Sequence, residues 1–352
     1  MNLPAHGANP AHLYEKINLA SPTKIIDFSV NTNPYGPPSS LKEQWSEWFS
    51  AVSDYPDPEG RSLTQLLALQ NGVTTDQVLL GNGAAEVIQF LGQWLQGERI
   101  VIGQPAFSEY ETACRAYQCD VDFVVMDEGV ERIVEVAKEA SALFICTPNN
   151  PTGLVFQPDD LLYILDQLKE SSCLVIVDEA FYDFAGDFTY ATYLANYPQL
   201  VILRSLTKMY AIAGLRIGYA LASKTIIERL ARFRPQWNVN ALALLAAETA
   251  LQDASFVETS RQLIEEERKQ MFEFLDKEGF DFTRSVVNFY LLRDPRLLDQ
   301  RLLLEFLLKK GLVLRHTYNY PTLNGRWLRA AVKTKEENDQ LKEALLAWKQ
   351  HS

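Results

Sequence analysis

Between residues 77 and 221 the chain alternates short apolar runs with polar or glycine-bearing turns and amphipathic stretches. The runs are QVLLG (77–81), RIVIG (99–103), VDFVVM (121–126), ALFICT (142–147), CLVIVD (173–178), LVILRS (200–205) and RIGYAL (216–221). Runs of this length, rich in β-branched residues, predict strands buried on both faces, with the stretches between them as helical crossovers. We therefore expect an α/β large domain built on a mostly parallel seven-stranded sheet. In such sheets ligands bind beyond the carboxyl ends of the strands, so the polar residues just past each run are the candidates for chemistry.

After about residue 240 the texture changes. ALALLAAETAL and FVETSRQLIEEERKQMFEFLDKEG predict consecutive helices, the second long enough to link two domains. VVNFYLLR, LVLRHT and WLRAAV predict short strands separated by the helical LLLEFLLKKG. In TKEENDQLKEALLAWKQ, Thr334 and Glu337 form a capping box, and Leu341, Leu345 and Trp348 make one apolar stripe. This predicts a smaller α+β domain. The expected division is 1–40 as an N-terminal arm and part of the small domain, 41–250 as the large domain, and 251–352 as the small C-terminal domain.

Four strand ends carry chemistry. In LLGNGAAEVIQFLGQWL a strand breaks at Gly81, Asn82 and Gly83 and a helix begins at once, which offers free amides to an anion. In CLVIVDEAFYDF, Asp178 ends a run buried on both faces, where a carboxylate costs several kcal/mol unless paired. In FICTPNNPTG, paired asparagines and prolines force an extended turn that presents amide side chains. In RSLTKMYAIAGLRIGY, Lys208 follows a strand, flanked by hydroxyls at Ser205 and Thr207, with Gly214 and Arg216 beyond. Taken singly, each has a structural reading: a glycine turn, an N-cap or ion pair, a rigid loop, a solvated lysine. Together they are the parts that hold pyridoxal 5'-phosphate (PLP): a phosphate cradle, a counterion for a ring nitrogen, an amide turn and a lysine able to bind an aldehyde.

Composition narrows the partners. Of 352 residues 47% are apolar and 22% charged, so there is no compositional case for disorder, and the net charge of −12 argues against a general affinity for nucleic acid or anionic membrane. The four cysteines, Cys114, Cys119, Cys146 and Cys173, form no CxxC pair and the four histidines are scattered, which speaks against metal or disulfide chemistry. No apolar run reaches spanning length and MNLPAHGANP lacks the pattern of a signal peptide, so a cytoplasmic location is expected. A non-catalytic PLP-binding regulator would carry a basic recognition helix, and none is evident.

DFSVNTNPYGPP, GNGAAE, TPNNPTG, VDEAF, SLTKMYAIAGLRIGY and LRAAV, in that order, resemble the fold-type I PLP-dependent transferases, specifically the class I/II aminotransferase branch. The resemblance spans nearly the whole chain and implies that Lys208 binds the cofactor covalently and Asp178 pairs with its ring nitrogen. Asn150 would bond the ring hydroxyl and lie near the substrate carboxylate. Gly83, Ala84, Ser205 and Arg216 would hold the phosphate, and Phe107 would stack on the ring. Tyr55 would reach the partner subunit's cofactor, implying a homodimer. Arg329 would bind the substrate α-carboxylate. Phe181 departs from many relatives, which carry a tyrosine able to donate to the ring hydroxyl; the neighbouring Tyr182 should point the other way.

Within the family, AHGANP, DEAFYDF, VNALA and NYPTLNGRWLRAAV resemble the threonine-phosphate decarboxylases of the cobalamin pathway. That likeness implies that His6, Gly7, Asn31 and Arg315 bind a substrate phosphate, with L-threonine O-3-phosphate losing CO2 to give (R)-1-amino-2-propanol O-2-phosphate. The alternative is an aminotransferase of a phosphorylated amine such as histidinol phosphate.

Overall fold

The computed structural model describes residues 3–4, 7–186 and 189–351. They form two compact units: a larger one of residues 36–149 and 155–258, and a smaller one of residues up to 35, 150–154 and from 259 onward. The N-terminal segment thus folds with the C-terminal third, beginning with β1 (Ile26–Asp27).

The larger unit is organised by a seven-stranded sheet of β2 (Val78–Gly81), β3 (Arg99–Gln104), β4 (Asp120–Val125), β5 (Ala142–Cys146), β6 (Leu174–Asp178), β7 (Leu200–Ser205) and β8 (Gly218–Ala222). The order is β2-β8-β7-β6-β5-β3-β4; β8 runs antiparallel to both neighbours, and the other pairs are parallel. All seven predicted strands are present. Their near-continuous apolar sequences follow from burial on both faces: every residue of β2, β5, β6, β7 and β8 is buried. Helices Ala84–Trp94 and Ser108–Ala116 cover one face, packing Val87, Ile88, Leu91 and Tyr110 against Ile100, Ile102 and Phe144. Each such side chain contributes about 2 kcal/mol by leaving water.

The seventh strand starts two residues later than its apolar pattern suggests. Arg216 has φ +60°, a left-handed conformation that no ladder accommodates, so the strand begins only at Gly218. Gly218 pairs with Gly81 of β2, and a side chain at 218 would strike the backbone of Ala84 and Arg204. Glycine is required there because the sheet edge and the loop after β2 touch through main chain.

In the smaller unit β1 pairs in parallel with β11 (Leu312–Val313), while β9 (Asp281–Phe282), β10 (Phe289–Arg293), β12 (Arg315–His316) and β13 (Leu328–Ala331) form an antiparallel sheet in the order β12-β13-β10-β9. The helices Arg301–Lys309 and Lys335–His351 fall where their apolar periodicity puts them. Thr334 and Glu337 do form the capping box: the Glu337 amide donates to Thr334 Oγ1 at 3.4 Å, and the Thr334 amide to Glu337 Oε2 at 3.3 Å. Leu341, Leu345 and Trp348 are all buried.

Candidate active site

In the larger unit the carboxyl ends of β5, β6 and β7 bring one carboxylate and one lysine together. Asp178, the last residue of β6, is 5% exposed. Its Oδ2 accepts from the Tyr110 phenol at 2.5 Å and its Oδ1 from the Ala180 amide at 2.8 Å. Burial raises its pKa; the two donors and Lys208 pull it back, and the adjacent Glu179 opposes them. A carboxylate so desolvated is poised for a cation. Lys208 lies on the short helix Leu206–Met209 directly after β7 and is half-buried, its Nζ 6.0 Å from the centre of the Phe181 ring. Tyr182 turns the other way, its ring 3.3 Å from the Arg204 guanidinium carbon.

Beside them lies a cradle for an anion. Gly83, at φ +78° and ψ 160°, precedes the helix Ala84–Trp94, whose first amides have no intrahelical acceptor. The Gly83 amide itself donates to Gly81 O at 2.8 Å, so Ala84 rather than Gly83 offers the outward N–H. Glu86 fixes the turn, accepting from the Asn82 amide at 2.7 Å and Asn238 Nδ2 at 2.6 Å. A side chain at position 83 would collide with the Arg216 guanidinium, so the bare glycine lets that cation stand against the loop. Across the cradle, Ser205 and Thr207 share a hydrogen bond between hydroxyls at 2.8 Å. Phe107 caps the helix Ser108–Ala116 and meets Tyr110 edge-on, their ring centres 5.9 Å apart.

In the smaller unit two arginines stand in register on neighbouring strands, Arg315 of β12 opposite Arg329 of β13. Residues paired this way project from the same face, where like charges repel. Both are buried, Arg315 at 4% exposure and Arg329 at 6%. Arg329 donates from Nη1 to Asn150 Oδ1 and from Nη2 to Ser29 O, each at 2.7 Å, and its buried Nε has no partner. Arg315 donates to Pro4 O at 3.0 Å and Asn319 Oδ1 at 2.7 Å, with His316 Nε2 2.8 Å from Nη1. Burial lowers both pKa values, that of Arg315 to about 10, and their mutual repulsion adds to the effect on Arg315. These oxygens orient the two guanidinium groups, and a guanidinium fork held in place is suited to binding an anion.

The N-terminal arm meets the same face. The Ala8 amide donates to Ser29 Oγ at 3.1 Å, and a side chain at Gly7 would strike Ser29. Asn31 is buried, its carbonyl accepting from Asn288 Nδ2 at 2.8 Å. His6 lies outside the described residues. Tyr55 is 82% exposed, its ring centre 4.7 Å from that of Trp237, in an open groove of about 660 Å3 lined by residues 51–56, 237 and 240–242.

Sequence reasoning missed two of these residues. Tyr110 stands one helical turn after Phe107, and that spacing was its only signal. Ser29 reaches Arg329 through its main-chain carbonyl, which leaves no trace in residue type.

The donor set fits PLP. A desolvated carboxylate suits a protonated ring nitrogen, a half-buried lysine suits an aldehyde, and helix amides, two hydroxyls and a guanidinium suit a phosphate. Comparison with known proteins agrees. The chain is 34% identical over 350 residues to the threonine-phosphate decarboxylase of Salmonella typhimurium, covering 97% of this chain and 95% of that one. It is 32% identical over 328 residues to the histidinol-phosphate aminotransferase of Bacillus licheniformis, covering 90% and 89%. It superposes on the L-threonine-O-3-phosphate decarboxylase of Porphyromonas gingivalis with a TM-score of 0.84 at 27% identity, over 92% of this chain and 99% of that one. With residues 23–345 matching the family described as aminotransferase class I and II, the chain belongs to that family and is a PLP-dependent enzyme of the fold-type I class.

Proposed function

We propose that the enzyme decarboxylates L-threonine O-3-phosphate to (R)-1-amino-2-propanol O-2-phosphate, a step toward cobalamin. The observation that carries this reading is the opposed pair Arg315 and Arg329. Two buried guanidinium groups suit one small molecule bearing two anionic ends, a phosphate and a carboxylate; histidinol phosphate has only the first.

Lys208, Asp178, Asn150, Phe107, Ala84, Ser205 and Arg216 would hold PLP, with the bare Gly83 leaving room beside Arg216 and Tyr55 of a second copy reaching the phosphate. When bound, PLP supplies an electron sink for a substrate joined to it through nitrogen. Asp178 keeps negative charge under the ring nitrogen and so keeps that sink cationic. Arg329 takes the substrate α-carboxylate by a two-pronged contact, while Arg315, with Asn31, Gly7 and His6, takes the phosphate. Anchoring both ends would fix which bond at Cα is presented for cleavage. The carboxylate would then leave as CO2, its electron pair taken up by the sink, and Lys208 would deliver the proton that replaces it at Cα.

The Bacillus licheniformis relative supports a second reading, transamination of a phosphorylated amine, with Lys208 carrying the proton between the same carbon and the cofactor. The deciding experiment incubates the PLP-loaded enzyme with L-threonine O-3-phosphate, with and without a keto-acid acceptor. CO2 released without acceptor is the expected result. Acceptor-dependent amine transfer with no CO2 would overturn the decarboxylase reading.

A further inference from the structure

Two carboxylates stand side by side at the end of β6, and they are held in opposite ways. Asp178 accepts from one phenol and one amide. Glu179 accepts from Arg204 Nε and the Tyr190 amide, each at 2.7 Å, and from Thr189 Oγ1 at 3.0 Å, and its Oε2 lies 2.7 Å from Arg204 Nη2 in an ion pair. Arg204 Nη2 donates to Thr189 Oγ1 at 2.6 Å, and the guanidinium carbon lies 3.3 Å from the centre of the Tyr182 ring. Both side chains of the pair are 2% exposed.

Strand alternation explains the division. Asp178 of β6 pairs with Leu203 of β7, so Asp178, Leu203 and Ser205 share one face of the sheet while Glu179 and Arg204 share the other. The ion pair therefore sits directly behind two residues that face the cofactor, one peptide from each. Stability alone does not account for it, because a buried ion pair is often replaced by apolar residues at no loss. Its charge has a nearer consequence. A lone Glu179 would add a second negative charge behind Asp178, and a lone Arg204 would oppose Asp178.

We propose that Arg204 and Glu179 are a charge-balancing pair of positioning residues for the cofactor: each cancels the other, so the charge beneath the ring nitrogen is that of Asp178 alone. Burial opposes the Arg204 charge and Glu179 outweighs it, so the two charges of the pair persist together. The other titratable groups near Asp178 are Tyr110, Cys146 and Lys208, and those near Arg204 are Tyr182, Asp183 and Tyr219. The proposal rests on Asp178 serving the ring nitrogen.

The test is the pH titration of the bound-cofactor absorbance in the PLP-loaded enzyme, alongside the melting temperature of the apoenzyme. Arg204→Met leaves Glu179 uncompensated, favours the protonated cofactor and raises the midpoint by about one pH unit. Glu179→Gln leaves Arg204 uncompensated and lowers it by about as much. Glu179→Gln/Arg204→Met returns it to the parent value, although every contact of the pair is gone. Shifts of one sign in both single variants, no shift in either, or a double variant that keeps a single variant's shift would overturn the proposal. If Arg204→Met does not fold, Glu179→Gln and the double variant decide between these outcomes. Asp178→Asn separates the premise: an unmoved midpoint there shows that Asp178 does not serve the ring nitrogen, whatever the pair does.

Discussion

The Tyr110 phenol donates to Asp178 Oδ2 at 2.5 Å, inside the sheet-facing layer of the helix Ser108–Ala116. Burial drives the Asp178 pKa up, and this bond is the leading influence drawing it down. Tyr110 is itself raised well above its usual value, by burial and then by Asp178, so it remains a donor at every working pH. Tyr110→Phe removes the donor with little change of shape. Asp178 then ionises less readily, and a hydrogen bond to a charged group contributes about 1.5–3 kcal/mol. PLP binding to the apoenzyme, followed by tyrosine and tryptophan fluorescence, is expected to weaken about tenfold or more. Equal affinity would show that Asp178 does not depend on Tyr110.

Opposed arginines should make the smaller unit less stable than it could be. Arg315 and Arg329 repel across β12 and β13 with both side chains desolvated. Arg315→Met should therefore leave the melting temperature of the apoenzyme unchanged or higher, while inhibition by inorganic phosphate weakens by about a hundredfold. Arg315→Lys should recover little of that affinity, because a point charge on a flexible stem does not reproduce the guanidinium fork. Parallel loss of stability and phosphate affinity would mean that Arg315 is structural.

His316 adds a pH dependence. Its ring is buried next to Arg315, and burial first and that guanidinium second lower its pKa to about 3, against about 6.5 in an unfolded chain. The sign follows from proton counting. Between those values the unfolded state binds the proton that the folded state refuses, so stability is full above about pH 6.5 and is lost as pH falls toward 3. From pH 7.5 to 5 the loss from this residue is about 2 kcal/mol. His316→Gln, compared with the parent by urea unfolding at both pH values, should abolish that share of the acid sensitivity. An identical loss in both proteins would show that His316 is not the source.

Much of this architecture was legible in the sequence because its signals are local. Seven apolar runs gave seven strands, since a strand buried on both faces has few alternatives to Val, Ile and Leu. Lys208, Asp178 and the turn before Ala84 were legible for a positional reason: each lies at or just past the end of a strand marked by its own composition. What stayed hidden is contact at a distance. Nothing in residue type foretold that the Gly83 amide turns back to Gly81, that Tyr110 reaches Asp178 across 68 positions, or that Arg204 pairs with Glu179. Arg216 shows the opposite failure. Its apolar neighbours imply a strand, and a single left-handed residue delays it.

The larger unit leaves apolar surface in water around residues 45–55, with Phe49 78% exposed and Trp45, Val52 and Tyr55 beside it in sequence. Exposed aromatic groups gathered in this way mark an interaction surface. A second copy of the chain is the occupant we propose, because Tyr55 in that copy would then reach the cofactor phosphate. The parent protein is expected to run as a dimer in light scattering at micromolar concentration. Phe49→Glu, which places a charge in the apolar surface, should shift it to monomer and weaken PLP binding together. Tyr55→Phe should leave the dimer intact and weaken PLP binding alone, by about fivefold to tenfold for one lost hydrogen bond to a phosphate. A monomeric parent protein that binds PLP as tightly as the Tyr55→Phe variant would remove both the second copy and the role of Tyr55.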